Sequence, residues 1–179
     1  DGYTIKRGLG RGGFGEVYFA VSHVGKEVAL KKVDFMEADR GDNLILNIHH
    51  PNLVLLYDIK HTENHEESWI IMEYMSGNSL RDVLTRNPEG LSIERAAAWF
   101  FAIASGVHRL HENGCVHRDL KPENIMIRRL ADGEQQVKVL DFGISKVVRE
   151  GSLAGTSLTG VGNIVGTPLY MSPEQAKGD

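Results

Sequence analysis

Three polar side chains in the segment 117–124 could together carry out a phosphoryl transfer. Asp119 provides a carboxylate, Lys121 an ammonium group and Asn124 an amide oxygen. The carboxylate can orient an attacking hydroxyl and accept its proton, the ammonium group can neutralise the moving phosphoryl group, and the amide oxygen can bind a divalent metal. Pro122 prevents a helix from continuing through the segment, so we expect the three side chains to converge from one loop.

A glycine-rich run at 10–15 is the second segment suited to chemistry, because glycines let backbone amides close over phosphates. The pattern G-x-G-x-x-G alone is shared by dinucleotide folds, in which it opens a helix, and by folds in which it forms a hairpin. Residues 17–21 are β-branched or aromatic apart from Ala20, which favours a strand after the glycines. The sequence therefore predicts a phosphate-binding hairpin.

The strand predicted to follow this hairpin carries Lys31. Strand alternation places Ala29 and Lys31 on one face and Val28 and Leu30 on the other. Ala29 is small enough for an adenine ring to lie against it, and Lys31 is long enough to reach the phosphates. A single lysine on a strand is usually a solvated charge, but the preceding hairpin favours a phosphate ligand here.

The remaining pattern divides the chain into a β-rich first part and a helical second part. We predict three antiparallel strands within 3–33 and two more at 53–60 and 68–74. Helices are predicted from residue 79 onward, and Ser92 would cap the amino end of the longest one. The apolar positions with helical spacing in this long helix are Ile93, Ala97, Phe100, Ile103, Val107 and Leu110.

A short hairpin is predicted after the loop, with strands at 125–127 and 137–140. It ends in Asp141, which the hairpin would hold beside Asn124. A carboxylate and an amide oxygen are ligands that suit a Mg²⁺ ion bridging nucleotide phosphates.

Three sequence motifs resemble those of a known family. The octet His-Arg-Asp-Leu-Lys-Pro-Glu-Asn at 117–124 resembles the catalytic loop of the eukaryotic-type (Hanks-type) serine/threonine protein kinases. Asp-Phe-Gly at 141–143 and Ser-Pro-Glu-Gln-Ala-Lys-Gly at 172–178 resemble further motifs of that family. The sequence of the last motif is most similar to that of bacterial members of the family.

The resemblance implies an α+β, protein-kinase-like bilobal fold. A β-rich N-lobe would span 1–73, a hinge 74–79, and an incomplete, mainly helical C-lobe 80–179. In the family several large helices follow the position of Glu174, so we expect a kinase domain truncated after its activation segment.

The resemblance also implies an activity, which is the ATP-dependent phosphorylation of Ser or Thr hydroxyls on protein substrates with ATP and Mg²⁺ as cofactors. Asp119, Lys121 and Asn124 would be catalytic, and Asn124 and Asp141 would bind the metal. The residues implied for nucleotide binding are Leu9, Gly10, Gly12, Gly13, Phe14, Gly15, Val17, Ala29, Lys31, Glu73 and Met75, of which Glu73 and Met75 would act through their backbone.

Regulation by phosphorylation is a further expectation from the resemblance. An arginine at the position of Arg118 meets a phosphate on the activation loop in the family. We choose Thr159 as the modified residue, and the competing sites are Thr156, Ser157 and Ser152.

One family feature has no clear position in this sequence. A helix glutamate normally pairs with the strand lysine, here Lys31, and counting back from His50 places Gly41 at its position. The carboxylates that could replace it are Glu37 and Asp39.

Composition narrows the classes of partner. The 20 basic and 24 acidic residues give a net charge of −4, so no nucleic-acid or membrane-surface footprint stands out. The single cysteine, Cys115, rules out an internal disulfide and fits a reducing compartment. No apolar run of membrane length and no signal-peptide pattern is present. We therefore expect a cytoplasmic protein without nucleic-acid or membrane contact from this segment.

Two alternative functions remain open. A nucleotide-binding pseudokinase or scaffold is favoured by the unplaced helix glutamate and opposed by the presence of Asp119, Asn124 and Asp141. A small-molecule kinase of similar fold is opposed by the segment from Gly166 to Glu174, which serves peptide docking in the family.

Overall fold

The computed structural model describes residues 2–12, 15–34, 45–62, 67–142 and 168–173. These residues form two antiparallel sheets, two α-helices and two single-turn 3-10 helices. Neither α-helix in this part of the chain is long and apolar enough to cross a membrane.

The first sheet has five strands, in the spatial order β1-β2-β3-β5-β4, and all neighbours are antiparallel. The strands are β1 Tyr3–Gly12, β2 Gly15–Ser22, β3 Glu27–Asp34, β4 Leu56–His61 and β5 Glu67–Glu73. This arrangement confirms the five strands expected from sequence. As alternation predicts, Val28 and Leu30 of β3 pack on one side with Ile71, whereas Ala29 packs on the other side with Met72.

The β1–β2 connection is a hairpin, and Gly15 shows why glycine is needed there. Gly10 lies opposite Val17, and Gly12 lies opposite Gly15. Gly15 has a φ of +118°, and a Cβ atom at this position would lie 1.8 Å from the carbonyl oxygen of Lys32. Only glycine fits so close to the backbone of β3. The glycine run thus leads into a strand rather than a helix.

The second sheet has three strands, in the order β6-β7-β8. They are β6 Asn78–Ser79, β7 Ile125–Arg129 and β8 Gln135–Val139. The first two residues of this sheet, Asn78 and Ser79, fall within the segment expected to be the hinge, so the connection between the sheets narrows to 74–77.

Two helices pack around the second sheet: α1 Leu80–Arg86 and α2 Ile93–Glu112. Ser79 begins α1 with a capping box, in which its hydroxyl accepts the N–H of Asp82 and the Asp82 carboxylate accepts the N–H of Ser79. Ser92 caps α2 as predicted, with its hydroxyl accepting the N–H of Arg95.

The buried side of α2 differs from the predicted apolar face. Ile93 and Phe100 belong to that face but are 79% and 67% exposed. The helix packs through Ile103 and Leu110 of the predicted set, and also through Gly106 and through Trp99, which contacts a cluster on β7 and β8. The prediction is confirmed for Ile103 and Leu110 and is wrong for Ile93 and Phe100. Apolar residues surround much of this helix, so their spacing does not single out one face.

The two sheets are joined by residues 52–54. The N–H of Val54 donates to the carbonyl of Val139 at 2.9 Å, and the N–H of Val139 donates to the carbonyl of Asn52 at 2.9 Å. The Asn52 side chain also donates to the carbonyl of Val137 at 2.9 Å. These bonds hold the end of β8, and so the segment that leads to Asp141, against the residues that precede β4 of the first sheet.

Candidate active site

His117 fixes the loop at 117–124 to the end of β8. Its ring is buried, its Nε2–H donates to the carbonyl of Leu140 at 2.8 Å, and its Nδ1 accepts the N–H of Asp119 at 3.3 Å. These partners define a neutral ring protonated on Nε2. Burial is the main cause that lowers the pKa of His117 below its usual value. Sequence reasoning gave His117 no role of its own, although its place in the octet was a usable signal.

Asp119 is the centre of the candidate site. Its Oδ2 accepts from Lys121 Nζ at 2.7 Å and from Asn124 Nδ2 at 3.0 Å. Asn124 Nδ2 also donates to the backbone carbonyl of Asp119 at 2.8 Å. Pro122 starts the 3-10 turn Pro122–Asn124, which brings Asn124 back toward Asp119. The structure thus brings together the three side chains that the sequence singled out, with the Asp119 side chain only 10% exposed.

Lys31 approaches the same region from the first sheet. Its side chain is buried on the Ala29 face of β3, and its Nζ lies 2.8 Å from Asp141 Oδ1. Val17 of the glycine-rich hairpin lies opposite Lys31 in the β2–β3 ladder. The lysine therefore sits between the hairpin and Asp141, where phosphates held by the hairpin would lie.

Arg118 and Asp141 are the non-glycine residues in the described ranges with positive φ, at 63° and 59°. A non-glycine residue in this conformation costs about 1–3 kcal/mol and is found mainly where the surrounding structure enforces it. One of the two precedes Asp119 and the other follows β8, so backbone strain is concentrated on both sides of the candidate site.

Asn124 and Asp141 carry oxygen atoms suited to a divalent cation. Both side-chain hydrogen bonds of Asn124 are donated by its nitrogen, which leaves Oδ1 as the atom for a cation. The N–H of Leu140 donates to the backbone carbonyl of Asn124 at 2.8 Å. Asp141 is the residue after Leu140, so this bond keeps its backbone close to Asn124. The Asp141 side chain is 27% exposed and thus accessible. This donor set fits Mg²⁺, which prefers carboxylate and carbonyl oxygens.

The end of β5 carries the residues expected to bind the adenine edge. The backbone N–H of Glu73 donates to the carbonyl of Leu55 at 2.8 Å. The backbone group of Glu73 that could bind an adenine base is therefore its carbonyl. Met75 follows and is buried. Gly77 has a φ of +143°, and a Cβ there would lie 2.3 Å from the carbonyl oxygen of Ile127. The connection therefore runs directly against β7.

An ion pair behind this connection was missed by sequence reasoning. Lys138 Nζ lies 2.5 Å from Glu73 Oε2, with side chains only 9% and 18% exposed. Glu73 also accepts the N–H of Leu55 at 3.3 Å, and Arg128 Nη2 lies 3.9 Å away. The available signal was a lysine between two valines in β8, where an unpaired charge would be costly to bury.

The other predicted site residues divide into two groups. Leu9 and Gly10 lie on β1, and Arg118 is exposed at the start of the loop. The positions outside the described residues are Gly13, Phe14, Gly41, Glu37, Asp39, Thr159, Gly166 and Glu174, together with the three competing sites.

Comparison with known proteins gives the family. Residues 3–179 match the model of the protein kinase domain. The chain is similar to the serine/threonine-protein kinases pkn2 of Myxococcus xanthus, at 37% identity over 98% of the chain, and PrkC of Bacillus subtilis, at 34% over 98%. It is also 34% identical, over 99% of its length, to a probable serine/threonine-protein kinase of Streptomyces coelicolor. The chain spans 22% to 27% of the length of these curated relatives. This chain belongs to the protein kinase family.

Proposed function

We propose that the chain binds ATP with Mg²⁺ and that the protein transfers the γ-phosphoryl group to a Ser or Thr hydroxyl of a protein substrate. The observation that carries the proposal is the convergence of Lys121 and Asn124 on the carboxylate of Asp119. The names of the relatives, which are serine/threonine-protein kinases, support the same activity.

Asp119 would orient the substrate hydroxyl and take its proton as the phosphoryl group departs from ATP. Its two bonds, from Lys121 and Asn124, fix the carboxylate before the substrate arrives, so little ordering is needed during reaction. Lys121 lies 2.7 Å from Asp119, close enough to place its positive charge beside the moving phosphoryl group.

Asn124 Oδ1 and the Asp141 carboxylate would hold the metal, which when bound supplies positive charge between the phosphates. Lys31 would then exchange Asp141 for a phosphate oxygen, a change that its position beside the hairpin allows. The backbone amides of Gly10, Gly12 and Gly15 would lie over the phosphates. The carbonyl of Glu73 and the backbone of Met75 would bind the adenine edge.

We also propose that the chain divides into an N-lobe at 1–73 and a C-lobe at 80–179, with a hinge that begins at 74. We propose in addition that phosphorylation regulates the activity through Arg118. A phosphate on Thr159 would bring nearly two negative charges to the guanidinium of Arg118 and order the substrate side.

The test uses the full-length gene product with radiolabelled ATP, Mg²⁺ and a general protein substrate. Asp119→Asn should lower the phosphorylation rate about 10²- to 10⁴-fold, the usual contribution of a general base, while ATP binding remains. Asp132→Asn, in the exposed β7–β8 turn, is the matched control and should keep full activity. A wild-type protein that binds ATP but phosphorylates no Ser or Thr would instead identify a pseudokinase.

A further inference from the structure

Arg81, near the start of α1, connects three segments that are far apart in sequence. Its Nε lies 2.7 Å from Glu123 Oε1, in the turn that follows Lys121. Its Nη2 donates to the hydroxyl of Tyr170 at 2.6 Å, in the 3-10 turn Pro168–Tyr170. We call these three residues the arginine triad.

The arginine triad lies on the surface that a protein substrate must approach. Glu123 belongs to the same loop as Asp119 and lies four residues after it. The Arg81 and Glu123 side chains are 41% and 43% exposed, and Tyr170 is 42% exposed, so the triad faces solvent rather than the core. A polypeptide that presents a hydroxyl to Asp119 would pass close to this surface.

The charge of Glu123 is already balanced by the chain itself. The hydrogen bond from Arg81 is the main cause that lowers the pKa of the Glu123 carboxyl group, which is therefore ionised at neutral pH. An exposed carboxylate without such a partner would attract a substrate arginine, because guanidinium and carboxylate form charge-assisted pairs. Arg81 occupies that position before any substrate arrives.

We propose that Arg81 determines substrate specificity: by occupying Glu123 and Tyr170 it prevents this carboxylate from binding a basic residue of the protein substrate. This inference rests on the proposed function. The protein then favours acceptor sites flanked on this side by neutral or acidic residues. Removal of Arg81 frees Glu123 and creates a preference for one basic position near the acceptor.

The experiment measures kcat and KM of the full-length protein for paired peptides. One peptide has neutral residues around its acceptor, and the others carry a single arginine at successive positions on either side. In Arg81→Gln, one arginine position should gain about fivefold in kcat/KM relative to the neutral peptide, the upper range for an exposed ion pair. The gain should appear in KM, because Glu123 binds the peptide and does not touch the reacting atoms.

Two further variants identify the cause. The double variant Arg81→Gln/Glu123→Gln should lose the new preference, because the carboxylate that binds arginine is gone. Arg86→Gln removes a positive charge from the same helix, where Arg86 bonds Asn78 rather than Glu123, and should keep the wild-type peptide ranking. An unchanged ranking in Arg81→Gln, the same shift in Arg86→Gln, or a shift that survives in the double variant would each overturn the inference.

Failure of the inference differs from failure of the proposed function. If the wild-type protein phosphorylates no peptide, the proposed function is wrong. If the variants are active and rank the peptides in the same order as the wild type, only the role of Arg81 is wrong. Fluorescence anisotropy of the same labelled peptides gives a readout without turnover. There, Arg81→Gln should bind one arginine peptide more tightly than the wild type does, and equal binding of all peptides again overturns the inference.

Discussion

Two lysine–carboxylate pairs join the first sheet to the end of β8, and they differ in what surrounds the carboxylate. Lys31 meets Asp141 at 2.8 Å, and Lys138 meets Glu73 at 2.5 Å. Both lysine side chains are nearly buried, at 4% and 9% exposure. The carboxylates are 27% and 18% exposed, so geometry and burial alone make the two pairs look alike.

The number of partners separates them. Glu73 is also bound by the backbone of Leu55 and approached by Arg128. In the described ranges Asp141 has Lys31 as its one side-chain partner. A carboxylate that must exchange a lysine for a metal needs few competing bonds, whereas one that fixes two sheets gains from many. Under the proposed function, the pair at Asp141 would open when the metal and phosphates bind, and the pair at Glu73 would stay closed.

The largest expected effect is on the pair that opens. Asp141→Asn keeps the size of the side chain but removes the charge that would bind the metal, so Mg²⁺-dependent ATP affinity should fall and kcat should drop by at least about 100-fold. Calorimetry with and without Mg²⁺ measures the first effect, and phosphate transfer measures the second. Stability should fall as well, because the nearly buried ammonium group of Lys31 loses its counter-charge and keeps only a neutral acceptor.

Equal ATP affinity of the wild-type protein with and without Mg²⁺ would contradict this prediction. The matched control is Glu73→Gln, which removes a charge from the other pair. It should keep the response to Mg²⁺, because Glu73 lies behind the connection rather than beside Asn124.

The next effect is on the pair that stays closed. Lys138→Met should lower the free energy of unfolding by about 2 kcal/mol, since it leaves Glu73 with an unbalanced charge in a mostly buried position. The loss is below that of a fully buried pair because Arg128 lies 3.9 Å from Glu73. Urea denaturation measures it.

The double variant Glu73→Gln/Lys138→Met tests whether the unbalanced charge of Glu73 causes this loss of stability. Removing both charges should recover part of the lost stability, because no uncompensated charge remains. A double variant that loses the sum of both single effects would show that the ion pair is not what joins the sheets here.

A smaller effect is the pH dependence of stability caused by His117, whose ring bonds both Asp119 and the residue after β8. The pKa of His117 is lowered by burial, so the folded protein binds fewer protons than the unfolded chain as pH falls below the usual value of about 6.5. Stability should be full above this pH and should decrease as pH falls toward the lowered pKa. His50 contributes in the same direction, because burial also lowers its pKa.

Denaturation of the wild type and of His117→Gln at several pH values separates the two histidines. The variant should be less stable at neutral pH but lose less stability on acidification, with His50 supplying the remainder. Identical pH slopes in the two proteins would show that the buried ring does not titrate in this range.

Local features of this molecule were predictable, and long-range pairings were not. The loop at 117–124 and the hairpin after Gly10 are set by residues within a few positions, so their types sufficed. Lys138 and Glu73 are 65 residues apart, and a lysine on a strand is usually solvated. Trp99 rather than Phe100 faces the sheet because tertiary packing chose one of several apolar arcs on α2.

The smallest expected effect comes from a third pair, which has the same nitrogen–oxygen distance as the Lys138–Glu73 pair but is more exposed to solvent. Lys32 Nζ lies 2.5 Å from Glu67 Oε1, with side chains 36% and 39% exposed. Water already solvates both charges, so Lys32→Met should leave the free energy of unfolding unchanged within measurement error. The same urea titration used for Lys138→Met makes the two substitutions directly comparable. Equal losses from both would show that distance rather than burial sets the strength of these pairs, and the contrast between the sheet junction and the surface would then fail.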